Sequence, residues 1–68
     1  MEFYAELDRK MSEQLDSGKF HLNLPPGVEH RRQRGSRVLF VECSDDEEIV
    51  DMVEDLLYES GISFQRND

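Results

Sequence analysis

The sequence predicts a small α+β domain in the order α-β-β-α-β, with a three-stranded mixed sheet and two helices. Three observations lead there. Apolar residues recur at helical spacing in two separate stretches. Two stretches between and after them alternate or run apolar over strand lengths. Finally, 68 residues make one domain and no more, so 1–68 is read as a single unit.

The first element is an amphipathic helix expected over 2–16. Phe3, Leu7, Met11 and Leu15 repeat every four residues with Tyr4 beside them, and Gly18 follows closely enough to end the helix. Residues 19–24 alternate, with Phe20, Leu22 and Leu24 on one side and His21 and Asn23 on the other, which reads as a half-buried strand. Pro25-Pro26-Gly27 stops it. An arginine-rich loop is then expected at about 25–36. Residues 37–42 carry apolar side chains on both faces, Val38 and Phe40 against Leu39 and Val41, which suits a central strand covered on both sides.

Ser44 and Glu47 have the spacing of a capping box, and the acids at 45–47 complement the positive end of a helix. Ile49, Met52, Val53, Leu56 and Leu57 supply a core stripe, so a helix is expected at about 45–60. Ser60-Gly61 reads as a Schellman stop with Ile62 as its apolar contact. Residues 62–66 alternate again as a short final strand, expected to run parallel to strand 37–42 through the helical crossover.

Charge narrows the function. Sixteen acids against eight bases give a net charge of −8, and residues 42–59 hold nine acids and no base. The longest apolar run, Val38 to Val41, is too short to span a membrane, and the charged start does not fit a signal peptide, so a cytoplasmic protein without membrane contact is expected. A single cysteine, Cys43, allows no internal disulfide. His21, His30 and Cys43 lack metal-ligand spacing, so neither metal nor cofactor is expected. Ser44 is better placed to cap a helix than to attack a substrate. Four acids follow Cys43 within five residues and disfavour its thiolate, so no enzyme is expected.

Two charged surfaces remain. On the second helix, Glu47, Asp51, Glu54, Asp55 and Tyr58 gather opposite the core stripe, and no lysine or arginine stands four residues on to relieve them. Unrelieved carboxylates around an exposed aromatic suit a basic protein surface, such as that of a nucleic-acid-handling protein, with the acids standing in for phosphates. The expected function is therefore a non-enzymatic protein-binding module, an inhibitor or regulator. The alternative is a small nucleic-acid-binding protein using Arg31, Arg32, Arg34 and Arg37, whose guanidinium forks suit phosphate. Against it stand the net charge and the absence of aromatics among those arginines, so direct nucleic-acid contact is the weaker reading. The same loop is a secondary candidate for contact with an acidic surface, its own or another copy's. A two-sided apolar strand with only two helices to cover it also predicts a homodimer.

Overall fold

The computed structural model describes residues 1–67. Its element order is β1 (Glu2–Glu6), α1 (Arg9–Asp16), β2 (Glu29–Arg31), β3 (Val38–Glu42), α2 (Glu47–Glu59) and β4 (Ser63–Asn67). The four strands form one sheet in the order β2-β3-β1-β4, and every neighbouring pair is antiparallel. This is the β-α-β-β-α-β connectivity of the ferredoxin-like arrangement.

The N-terminal segment is the main correction to the sequence reading. The expected helix over 2–16 is a strand followed by a shorter helix. Phe3 and Ala5 point into the core and Tyr4 points away, while Phe3 pairs with Val41 on one side and Arg66 on the other. Pairing on both edges satisfies the backbone of β1, which outweighs a helical periodicity built from residues of two different elements. Helix α1 starts where Asp8 accepts a hydrogen bond from the Met11 amide at 2.7 Å. It ends as expected at Gly18, through the Lys19 amide on Gln14 O and the Gly18 amide on Leu15 O.

The second correction concerns 19–24, which is not a strand. Phe20, Leu22 and Leu24 are half-buried, but the sheet edge beside β3 is taken by Glu29–Arg31, inside the region expected to be loop. The sheet is thus four-stranded and wholly antiparallel rather than three-stranded and mixed. Strands β3 and β4 do run in the same direction, each antiparallel to β1, but β1 sits between them.

Both helices contribute to one core. Phe3, Ala5, Leu39 and Val41 of the sheet pack with Val50, Val53 and Leu57 of α2, and Met11 and Leu15 of α1 close over the same cluster. Leu7, Cys43 and Ile62 complete it. The opposite sheet face is left open, so Val38 and Phe40, expected to be covered, are 42% and 36% exposed. At the start of α2 the cap is Asp46, whose carboxylate accepts from the Glu48 amide at 3.0 Å, rather than Ser44. The Schellman stop is present: the Ile62 amide bonds Leu57 O, the Gly61 amide bonds Tyr58 O, and Gly61 has φ +73°. No helix among the described residues is long and apolar enough to cross a membrane.

Candidate functional site: the charged surfaces

Helix α2 buries Val53 and Leu57 of the expected stripe together with Val50, while Ile49 is only partly buried and Met52 faces out. The buried face is turned by about 50° from the sequence reading at 100° per residue. Two consequences follow. Met52, expected in the core, is 53% exposed. Glu54, expected among the free carboxylates, lies on the flank of the helix nearer β4 and is half-buried there.

At that flank Glu54 meets Arg66 in a two-pronged pair, with Nη2 to Oε1 at 2.8 Å and Nε to Oε2 at 3.0 Å. The guanidinium holds the Glu54 carboxyl below its ordinary range, chiefly through these hydrogen bonds. Glu54 therefore ties α2 to the sheet. The remaining expected residues stay together on the solvent side. Glu47, Asp51 and Asp55 are exposed and form no ion pair among the described residues, and Tyr58 is 79% exposed beside them. Glu48 and Glu59, exposed on the same helix, extend the negative surface.

The four arginines divide into two pairs. Arg32 is built into the fold: its Nε donates to Ser36 O at 2.8 Å, and its Nη2 meets Ser12 O at 3.0 Å, Ser12 Oγ at 2.9 Å and Asp16 Oδ1 at 2.9 Å. The Gly35 amide also donates to the Asp16 carboxylate, at 3.0 Å, across a tight turn in which Gly35 takes φ +81°. This turn positions the loop on α1. Arg37 donates from Nε to Leu7 O at 2.9 Å. Arg31 and Arg34 are exposed and make no ion pair among the described residues. None of the four arginines pairs with the acids of α2.

Two further features bear on chemistry. Cys43 is buried at the end of β3, and loss of solvent pushes its thiol up, with Asp45 and Glu54 acting in the same sense and the N-terminal ammonium opposing them. This is the reverse of the environment that activates a nucleophilic thiolate. A groove of about 540 Å³ between α1 and β2 is lined by His21, His30, Arg31 and Arg32 among others, and both histidines are exposed. Among the described residues no group of three or more His, Cys, Asp or Glu side chains is placed to hold a metal ion.

The sequence left open whether the N-terminal helix covers the second sheet face; in the structure both helices pack on one side and the other is an open sheet face. It requires β1 to be a strand, and it brings Tyr4 against Phe40 with ring centroids 5.0 Å apart and planes at 80°. The alternation of β3 already separated Val38 and Phe40 from Leu39 and Val41; only the structure decides that Val38 and Phe40 are the pair left bare.

Comparison with protein-family models, with curated proteins and with solved structures found no significant match to this chain.

Proposed function

We propose that this protein is a non-enzymatic binding module, an inhibitor or regulator, that docks a lysine- and arginine-bearing protein surface through α2. The observation that supports this reading is the exposed cluster of Glu47, Asp51, Asp55 and Tyr58, whose carboxylates have no counter-charge among the described residues. Keeping like charges together on one helix costs a few tenths of a kcal/mol for each close pair. A cationic partner recovers that cost, and Tyr58 supplies the aromatic anchor common at interface centres. A nucleic-acid-handling protein, whose own ligand is polyanionic, has the matching surface, and the acids of α2 then occupy the place of phosphates. Glu54 drops out of the docking set because Arg66 occupies it.

The alternative reading, nucleic-acid binding by the arginine loop, is less well supported by the geometry. Arg32 and Arg37 are committed to internal acceptors, which leaves Arg31 and Arg34 for phosphate.

The test is to capture the partner on the immobilised chain, purify it, and compare its affinity for the native protein and for the double variant Asp51→Lys/Asp55→Lys. Circular dichroism checks that the variant is folded. The proposal expects binding to fall at least about tenfold and to weaken with salt in the native protein. Unchanged affinity of the folded variant removes the α2 reading.

A further inference from the structure

The open sheet face has a chemical layout of its own, distinct from α2. Cross-strand register sorts it into rows. One row places Glu29 opposite Glu42 and Glu42 opposite Glu2, across β2, β3 and β1. The next row places Arg31 opposite Phe40, Phe40 opposite Tyr4, and Tyr4 opposite Gln65. Adjacent strands lie about 4.8 Å apart, so the three carboxylates line up over roughly 10 Å. Residues two apart on a strand are about 6.7 Å apart, which separates the carboxylate row from the aromatic row.

Like charges directly opposite on neighbouring strands destabilise a sheet. Here three stand side by side, and none of them makes an ion pair among the described residues. Beside them lie the half-buried Tyr4 stacked edge-on with the exposed Phe40, and Val38, with no element packed over them. We infer that this sheet face is a second docking surface, and that its occupant is an extended partner segment carrying lysine or arginine. The segment's aliphatic stems lie on Tyr4 and Phe40 while its cations reach the row of Glu2, Glu42 and Glu29.

Charge decides among the occupants. Aromatic residues on the central strands of a four-stranded sheet also serve to stack single-stranded RNA bases. Three carboxylates adjoining the rings repel phosphates, and a chain at −8 adds to that repulsion. A second copy brings four glutamates, Glu6 with Glu2, Glu29 and Glu42, and one arginine to the same face, so like meets like. A cationic segment neutralises the row while its aliphatic stems cover the rings. The inference stands apart from the α2 reading, since the two surfaces share no residue.

The test measures fluorescence anisotropy of a labelled octapeptide alternating lysine and valine, at about 50 mM salt where exposed charges are weakly screened. Three proteins are compared: the native chain, Glu2→Gln/Glu42→Gln, and Asp51→Asn/Asp55→Asn. The sheet variant is expected to bind about five- to tenfold more weakly, because two charge contacts are lost. The same variant is expected to melt higher, because repulsion in the row is relieved. That pairing of weaker binding with greater stability is not produced by simple damage to the fold. Phe40→Ala is expected to weaken binding as well. Equal peptide affinity of the native chain and the sheet variant overturns the inference, and if the Asp51/Asp55 variant alone loses affinity, the α2 reading survives without it. Binding of oligouridylate that is lost in Phe40→Ala overturns it in favour of RNA. A light-scattering mass of twice the monomer that falls to the monomer in Phe40→Ala overturns it in favour of self-association.

Discussion

Replacing Arg32 by alanine is expected to be among the costliest single changes on this protein's polar surface. The side chain is 11% exposed and serves four acceptors, Ser36 O, Ser12 O, Ser12 Oγ and Asp16 Oδ1, at 2.8 to 3.0 Å. Ser12 is itself buried, and its hydroxyl donates onward to Ser36 O at 3.0 Å, so the guanidinium closes a small network between α1 and the 32–37 turn. A hydrogen bond to a charged group contributes about 1.5–3 kcal/mol, and removing the cation leaves its acceptors to find water. Asp16 keeps the Gly35 amide and some solvent contact, which softens the loss. The expected cost is about 2–4 kcal/mol. At roughly 0.05–0.15 kcal/mol per residue, a chain of this length has only about 3–10 kcal/mol in total. The melting temperature is therefore expected to fall by about 15–30 °C, followed by circular dichroism, with urea denaturation giving the free energy. Arg32→Lys keeps the charge but not the fork and is expected to lose about half as much. Arg34→Ala, in the same turn but exposed and in no ion pair among the described residues, is expected to stay within about 0.5 kcal/mol of the native protein. An Arg32→Ala variant within that same margin, or an Arg34→Ala variant as unstable as Arg32→Ala, refutes the structural role assigned to Arg32.

Three further outcomes are expected. The Glu54 carboxyl is held below its ordinary value by Arg66, so its contribution is present above the unfolded carboxyl range near about 4.3 and is lost as pH falls through the lower folded value. Acid titration of stability for Glu54→Gln is thus expected to show a smaller loss than the native chain over that window, by no more than about 1 kcal/mol because the pair is partly solvated. Cys43 is buried with its thiol pushed up, so iodoacetamide is expected to label the native protein at pH 7.5 far more slowly than the urea-unfolded chain, a rate ratio near one contradicting the burial. Gly61 holds φ +73° with open space where a Cβ would go, so Gly61→Ala is expected to cost about 1 kcal/mol through backbone strain alone, measured by urea denaturation.

The second half of the chain was largely legible in the sequence because its signals are local. The α2 stripe, the glycine stop and the apolar run of β3 each sit within one element. The first half was not. Phe3, Leu7, Met11 and Leu15 imitate a helix because a strand, a short connection and a helix happen to space them evenly, while Tyr4 breaks the alternation that would mark β1. Its apolar side chain belongs on the bare sheet face beside Phe40, a pairing fixed only by register. Strand β2 has no apolar pattern at all in Glu29-His30-Arg31 and exists through its pairing with β3. At the candidate site, the acidic face of α2 was visible, but its rotation depends on which side chains the sheet accepts. That rotation took Met52 out of the core and sent Glu54 to Arg66. Residues 32–37 looked like a uniform basic loop, and only the fold separates Arg32, held on Asp16, from Arg34 in solvent.

The central claim is that this chain meets other molecules through its acidic surfaces rather than its arginine turn. The most direct measurement is a two-dimensional NMR titration of the isotope-labelled protein, first with the lysine–valine octapeptide and then with oligouridylate, each repeated at about 50 and 300 mM salt. The account predicts that the peptide shifts amide signals of Asp51, Asp55 and Tyr58 on α2 and of Tyr4, Phe40 and Glu42 on the sheet, with shifts that shrink at the higher salt, and that the oligonucleotide leaves the spectrum unchanged. Shifts confined to Arg31 and Arg34 on adding oligouridylate, with none from the peptide, would contradict it.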